Sequence, residues 1–376
     1  MNLTARQLNR ATLARQMLLR REGLDAAEAV RRVVALQAQE AASPYLALWN
    51  RVAPFDPSGL DAAFASHTVV KASLMRITLH AVHAADYPAF HRAMVEILRA
   101  ARLHDRRFKD TSLSIAEADA LIPHMLEYVA QSRTNAEVEA LLAERLGVPK
   151  PRVWWALRAF APLVHAPAEA PWSFGPRPRY LASPVPPSGA GAGECLQYLI
   201  RRYLEGFGPA TVADIGQFTL HGRATTRAAI DAMKHELDRL EGPGGAELFD
   251  VPGAPRPEAD IPSPPRLMAM WDSTLLAYSD RSRVIPPEYR PVITRRNGDV
   301  LPALLVDGYV AGVWRPAEAG IEATAFHPLS DQAWAGLAAE ARGLVSFLAG
   351  RDPTVYRRYA HWWKELPAAQ TRVLPG

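Results

Sequence analysis

After Thr4, a good helix N-cap, the apolar residues Leu8, Leu13, Met17 and Leu18 recur at helical spacing, so the chain opens on an amphipathic helix. A second helix follows Asp25, with Ala26, Val30, Val33 and Val34 as its stripe. Ser43-Pro44 interrupts the pattern, Tyr45 to Trp49 reads as buried, and a third helix is predicted near 58–65. Residues 68–74 and 76–82 then read as strands, and a longer helix over 87–102 closes this portion. Helices followed by a two-stranded ribbon is the order of a winged helix. The same order recurs with helices at 114–130, 135–146 and from Pro151 to 161, and a hairpin at 163–165 and 180–182. It appears again with helices at 195–204, after Thr211, and at 223–233, and strands near 236–240 and 247–251.

The last portion changes character. Residues 275–277, 292–294, 301–306 and 309–314 are short β-rich runs, and Asn297-Gly298 and Asp307-Gly308 are dipeptides that close two-residue hairpins. A small antiparallel barrel is expected there, followed by a helix near 331–348. Dense prolines at 162–193 and 252–265 exclude helix interiors and central strands, and mark linkers or irregular surface loops. The expected architecture is mainly α with β. Three tandem winged helices occupy 1–112, 113–190 and 191–260, and a C-terminal β-barrel with its closing helix occupies 261–376.

Composition narrows the function classes. The single cysteine, Cys195, excludes a disulfide framework and a cysteine-rich zinc site. Neither a membrane span nor a secretory signal is visible, so the expectation is a soluble protein of the bacterial cytosol, associated with the nucleoid. Net charge is +4. Residues 1–112 hold 16 Lys+Arg against 10 Asp+Glu, and the remainder 27 against 29, so the excess positive charge sits in the first third. Only five of the 43 cations are lysines, and arginine forks well onto phosphate oxygens. An Ala- and Arg-rich coding bias would give a similar surface, and the two readings stay open on charge alone.

Familiar catalytic signatures are missing: no phosphate-binding glycine loop, no HExxH, no GxSxG. His80 and His83 are spaced HxxH, but on a strand i and i+3 face opposite sides, so no metal site is expected. Neither metal nor cofactor is called for. Trp49 and Trp154-Trp155 read as core rather than as base-stacking platforms. What draws attention is Gln37-Ala38-Gln39 at the end of an apolar helix, just before Ser43-Pro44-Tyr45-Leu46-Ala47-Leu48-Trp49. Ser73-Leu74-Met75-Arg76-Ile77-Thr78-Leu79-His80 and Gly208-Pro209-Ala210-Thr211-Val212-Ala213-Asp214 lie further on. Leu275 to Arg283 and Val306 to Trp314 complete the set. In these segments the chain resembles the AlkZ/AlkX (YcaQ) superfamily of bacterial winged-helix DNA glycosylases, from its first helix to its last β-rich portion.

The resemblance implies three winged helices and a barrel around a concave face for double-stranded DNA, and removal of N7-alkylated guanine. Gln37-Ala38-Gln39 matches the Gln–apolar–Gln catalytic motif of the AlkZ branch, whose members unhook bulky lesions and interstrand cross-links and protect producers of DNA-alkylating natural products. Asp272-Ser273 departs from the expected Asp-Asn. A monofunctional glycosylase is implied, with Gln37 and Gln39 catalytic. Arg76, Thr78 and His80 on the first wing are candidate DNA contacts that compete with plain strand packing; Arg281 and Arg283 compete with a surface ion pair to Asp280. Glu40 is the nearest carboxylate. An open concave face, with no deep base pocket, would suit lesions that cannot rotate out of the duplex.

The chemistry needs no carboxylate. N7-alkylguanine already carries positive charge, so it leaves without a general acid, and a glutamine carbonyl can hold the attacking water while an amide fixes a sugar or phosphate oxygen. Two residues apart on a helix point about 200° from each other, whereas in extended chain they share a face. Both glutamines can meet one water only if the helix ends or distorts near residues 36–39. A non-catalytic winged-helix regulator is the competing reading; it would usually dimerise on a palindrome, whereas three modules in one chain need no partner, and a monomer is expected.

Overall fold

One order of elements is repeated three times along the chain. A computed structural model describes residues 2–375; Met1 and Gly376, the outer ends of the expected first and last portions, lie outside the described residues. The first pass runs α1 (Ala5–Arg15), α2 (Ala26–Arg32), β1 (Leu36–Gln37), α3 (Ser43–Trp49), α4 (Pro57–Ala65), β2 (Val69–Ser73) and β3 (Leu79–His83). After α5 (Tyr87–Leu103) and the short α6 (Arg106–Lys109) come α7 (Ile115–Tyr128), β4 (Arg133–Thr134), α8 (Asn135–Leu146), α9 (Pro151–Leu157), β5 (Leu163–Ala166) and β6 (Arg179–Ala182). The third pass has α10 (Ala192–Phe207), α11 (Val212–Thr219), α12 (Arg223–Ala232), β7 (Asp238–Glu241) and β8 (Glu247–Asp250). In every pass a short segment ahead of the middle helices joins the second strand of the ribbon. β1 pairs with β3, β4 with β6, and Ala210 bridges Phe249 of β8.

Local chemistry explains the helix starts. Thr4, Ser114, Thr134 and Thr211 each close a capping box with the residue three places on, satisfying backbone N–H groups that a first helical turn leaves free. α2 stops at Arg32, earlier than its apolar stripe suggests. Val33 and Val34 are buried beyond its end, and Val34 takes a left-handed backbone (φ 75°) that turns the chain into β1.

The last portion differs from expectation. β9 (Arg266–Leu267), β10 (Ala303–Val306), β11 (Tyr309–Ala317), β12 (Gly320–Ala325) and β13 (Gln370–Pro375) form one antiparallel sheet in the order β13-β12-β11-β10-β9, whose end strands do not pair with each other. It is an open sheet, not a closed barrel. Two of the runs expected as strands are not strands: Leu275 lies in a tight turn capped by Asp272, and α13 (Arg290–Ile293) takes up much of 292–294. α14 (Asp331–Ala349) lies against β9, β12 and β13, so a helix covers the apolar face and closure is not required. The Asp307-Gly308 turn between β10 and β11 is as expected, with φ of 50° and 82° at its two residues.

The proline-rich stretches are irregular, but the one between β5 and β6 is not a free linker. Trp172 is buried and packs on Tyr45 and Phe347, with ring centres 5.3 and 6.1 Å away. The Ser173 hydroxyl donates to Asp61 at 2.7 Å, beside the Tyr45 hydroxyl, which donates to the same carboxylate at 2.5 Å; Arg351 binds it as well. This loop is strapped onto the first pass and the end of α14. Two large apolar clusters make the core. One joins the early helices to the C-terminal sheet, and the other runs from Val34 to Tyr278 across all three passes.

Candidate active site

β1 is the short strand that carries the first glutamine. The backbone leaves helical geometry after Arg32, and Leu36, Gln37 and Ala38 are extended along β3, with Ala38 N–H donating to the Leu79 carbonyl at 2.8 Å. The helix end required for the two glutamines is therefore present. Register places Gln37 opposite His80, which in turn faces Ala72, so these three share one face of the sheet. Leu36, Ala81 and Lys71 occupy the other face.

Gln37 is buried and its amide is fixed. The β2–β3 connection passes through two consecutive left-handed residues, Arg76 (φ 53°) and Ile77 (φ 58°), which turns the Arg76 side chain back over the sheet. Such backbone is costly for a β-branched residue, of order 1–3 kcal/mol, and survives only where the surroundings enforce it. Arg76 Nη2 donates to Gln37 Oε1 at 2.5 Å and lies 3.4 Å from His80 Nε2, and the guanidinium sits 5.4 Å from the Phe218 ring centre. His80 Nδ1 lies 3.1 Å from the Thr78 carbonyl, which makes Nδ1 the protonated nitrogen and leaves Nε2 as an acceptor towards Arg76. Burial, with the charge of Arg76, holds His80 well below its ordinary pKa, so the ring is neutral. Burial, with the nearby charge of Arg281, lowers Arg76 to about 10. Arg76 Nη1 is enclosed without a hydrogen-bond partner among the described residues. With Oε1 held by Arg76, Gln37 keeps its amide nitrogen free to donate.

Gln39 is placed differently. The chain bends at Gln39–Glu40, and Gln39 is exposed, with its amide unbonded among the described residues. It lines a half-open cleft of about 540 Å³ between the first and second passes, and a smaller adjoining space of about 170 Å³ that it shares with Ser73, Thr78 and Arg158. Lys71, from the face of the sheet opposite Gln37, lines the larger space. Glu40 beside it is engaged: Arg358 binds it and the Tyr359 hydroxyl donates to it at 3.0 Å.

The other anticipated residues divide. Thr78 borders the smaller space, and its hydroxyl donates to the Met75 carbonyl at 3.1 Å. Arg281 is half-buried and donates to Thr294 Oγ1 at 2.9 Å, and its enclosed Nε has no partner among the described residues. His80 and Arg283 need correction as DNA contacts. His80 is fully buried behind Gln37, and its polar atoms are used by Thr78 and Arg76. Arg283 is 9% exposed and spends Nη1 on the Pro209 carbonyl at 2.8 Å, over the Tyr278 ring. Both hold the interior together.

Trp154 is core, but Trp155 is half-buried at the smaller space, with Arg102 and Arg107 at 4.6 and 4.2 Å from its ring centre. The Asp272-Ser273 segment singled out in the sequence supports the site. Ser273 donates to the Ala35 carbonyl at 2.9 Å, two residues before Gln37, and Asp272 receives both Arg51 guanidinium nitrogens at 2.8 Å in a fully buried pair. Sequence reasoning missed Arg158 and Lys71, which line the cleft, and Ser73, which lines the smaller space. For Lys71 a signal existed: a lysine amid buried strand residues, Val69-Val70-Lys71-Ala72.

Gln39 lines a cationic cleft whose nearest carboxylate is tied up, and Gln37 is buried in the adjoining sheet, an arrangement that suits an enzyme acting on DNA without a general acid. The chain belongs to the AlkZ-like DNA glycosylases: the profile of that family, described as DNA glycosylase AlkZ-like, matches residues 30–347. It is similar to the interstrand DNA cross-link repair glycosylase of Streptomyces sahachiroi, 24% identical over 355 residues, with 87% of this chain and 91% of that protein covered. The fold is similar to the solved structure of the Streptomyces sahachiroi DNA glycosylase AlkZ, with a TM-score of 0.78, 20% identity, and coverage of 92% of this chain and 96% of that one. Among the described residues no helix is long and apolar enough to cross a membrane.

Proposed function

We propose that this glycosylase hydrolyses the N-glycosidic bond of N7-alkylguanine in duplex DNA, including bulky adducts and interstrand cross-links, and protects a cell against a DNA-alkylating natural product. The single observation that carries the reading is the division of labour between the glutamines: Gln37 locked by Arg76 with its amide nitrogen free, Gln39 unbonded at the mouth of a cationic cleft. Gln39 Oε1 holds the water that attacks C1′, and Gln37 Nε2 holds a sugar or phosphate oxygen. The cationic base departs unaided, and the water's proton passes to solvent once the C1′–O bond forms. Positioning of this kind lowers a barrier by about 7–11 kcal/mol. Glu40 is no base, because Arg358 and Tyr359 already occupy it.

The repeated helix–strand–helix–helix–ribbon order supports a reading as three tandem winged helices within 1–112, 113–190 and 191–260, with the open sheet in 261–376. Of the anticipated arginines, Arg76 and Arg281 remain partly exposed and are the candidates for contact with a DNA phosphate. A half-open cleft suits a lesion tethered to both strands. The enzyme acts as a monomer in the bacterial cytosol, at the nucleoid. The test is a denaturing gel of a duplex joined by one N7–N7 guanine cross-link. Conversion to single strands with an abasic site is the expected result, and a cross-link that persists while a monoadduct is released would confine the enzyme to monoadducts.

A further inference from the structure

Lys71 is an unusual presence in the middle of β2. Its side chain is only 5% exposed, its ammonium lies 4.4 Å from the Phe174 ring centre, and among the described residues it has neither an ion-pair nor a hydrogen-bond partner. The surface it keeps opens on the 540 Å³ cleft that also holds Gln39. An ammonium withdrawn from water without a counter-charge is unfavourable, and a fold normally pairs or removes it. The other charged groups around the cleft do not compensate. Arg158 donates to neutral partners, Asn135 at 3.0 Å and Tyr180 at 3.2 Å, and Arg179 only to Ser132. Of the lining carboxylates, Glu40 is taken by Arg358, and Asp352 accepts from Trp172 and Thr354. His165, between Lys71 and Arg158, is pushed by burial and by their charges to the neutral form. Burial likewise lowers Lys71 to about 8, against the pull of Glu40.

We propose that Lys71 and Arg158 form a built seat for one phosphodiester of the lesion-bearing strand, the one adjoining the nucleotide presented to Gln39. The inference rests on the glycosylase reading of the Gln37–Gln39 site and adds to it the anchor that sets the strand's register. The seat is missing its anion in the free protein, and DNA supplies it. Met at position 71 has similar length and suits the apolar walls, so removing the charge relieves the fold while it weakens DNA binding. A lysine with no part in DNA binding would give the first effect but not the second.

The experiment measures the affinity of native protein, Lys71→Met and Lys71→Arg for a duplex with one N7-alkylguanine on a 2′-fluoro sugar, which slows base release, across a range of salt. Thermal unfolding of each protein is followed in parallel. Lys71→Met is expected to melt no lower than native, bind about tenfold more weakly at low salt, and lose about 1 from the slope of log K against log salt. Lys71→Arg keeps the slope. A neutral methylphosphonate next to the lesion weakens native protein more than Lys71→Met, in which Arg158 alone still meets that phosphate. Native slope and affinity in Lys71→Met, or equal losses from the methylphosphonate in both proteins, overturns the proposal. Should Lys71→Met fail to fold, Lys71→Gln is read the same way. If native protein binds but never releases base from an ordinary 2′-deoxy lesion, the glycosylase reading fails and the slope still decides the seat.

Discussion

Gln37 and Gln39 are two residues apart and have opposite circumstances. One is buried with its carbonyl oxygen held at 2.5 Å by Arg76, the other exposed and unbonded among the described residues. Side-chain chemistry at this scale was partly legible in the sequence. The pair of amides and the need for a helix end could be read from the residues, because extended and helical spacing put i and i+2 on different faces. Arg76 could be noticed but not its role, which depends on two left-handed residues in a connection that the apolar pattern treats as plain strand. His80 and Arg283 were legible as polar but not as interior, since no local pattern reports what packs over a strand. Lys71 yields a prediction that belongs here. Its ammonium titrates near 8 in the fold and 10.5 when unfolded, so below pH 8 it lowers stability by about 3 kcal/mol. Between pH 8 and 10.5 the unfolded chain binds the extra proton, and stability rises with pH. Lys71→Met should be more stable than native protein at pH 7 by an amount of that order, and its advantage should shrink through this window. Urea unfolding at pH 7 and pH 10 measures it, and an advantage that does not change with pH contradicts the account.

Among the elements, helices with capping boxes were the easiest to read, and the C-terminal sheet the hardest. Asp307-Gly308 announced its hairpin because both residues tolerate positive φ, and β10 and β11 followed from it. β13 went unread because a strand that pairs only with β12, after a long helix and a stretch of tight turns, is specified by its partner more than by its own alternation. The β5–β6 loop shows the same limit. Its prolines ruled out regular structure correctly, yet Trp172 and Ser173 fasten it to Tyr45, Asp61 and Arg351 and make it one wall of the cleft. Trp172→Ala should lower stability by about 3–5 kcal/mol and expose 167–178 to protease, with slower base release. A variant cleaved no faster than native protein within that loop would show that the strap does not depend on Trp172.

At the level of the whole molecule, the expected divisions at 112, 190 and 260 fall within shared cores. One cluster contains Leu13, Val30 and Leu46 together with Leu267, Trp314 and Leu344; the other contains Val34 and Phe90 together with Leu199 and Tyr278. Length and proline density suggested separable portions, and burial across them is invisible to any one-dimensional pattern. Folding should accordingly be cooperative along the chain, with one calorimetric transition and matching fluorescence and circular-dichroism midpoints. Two resolved transitions would mean that the passes fold independently. The same arrangement serves function: β1 is gripped by β3 and, through Ala35, by Ser273, so two distant parts of the chain fix Gln37.

The central claim is that this pair of amides, with no carboxylate, releases the base. It is tested most directly by base release from a duplex carrying one N7-alkylguanine, comparing native protein with Gln37→Ala and Gln39→Ala at matched DNA occupancy. The account predicts an abasic site with native protein, and a loss of about a hundredfold or more in each variant while both still bind the duplex. Native rates in both variants, or binding by native protein with no base released, would contradict it.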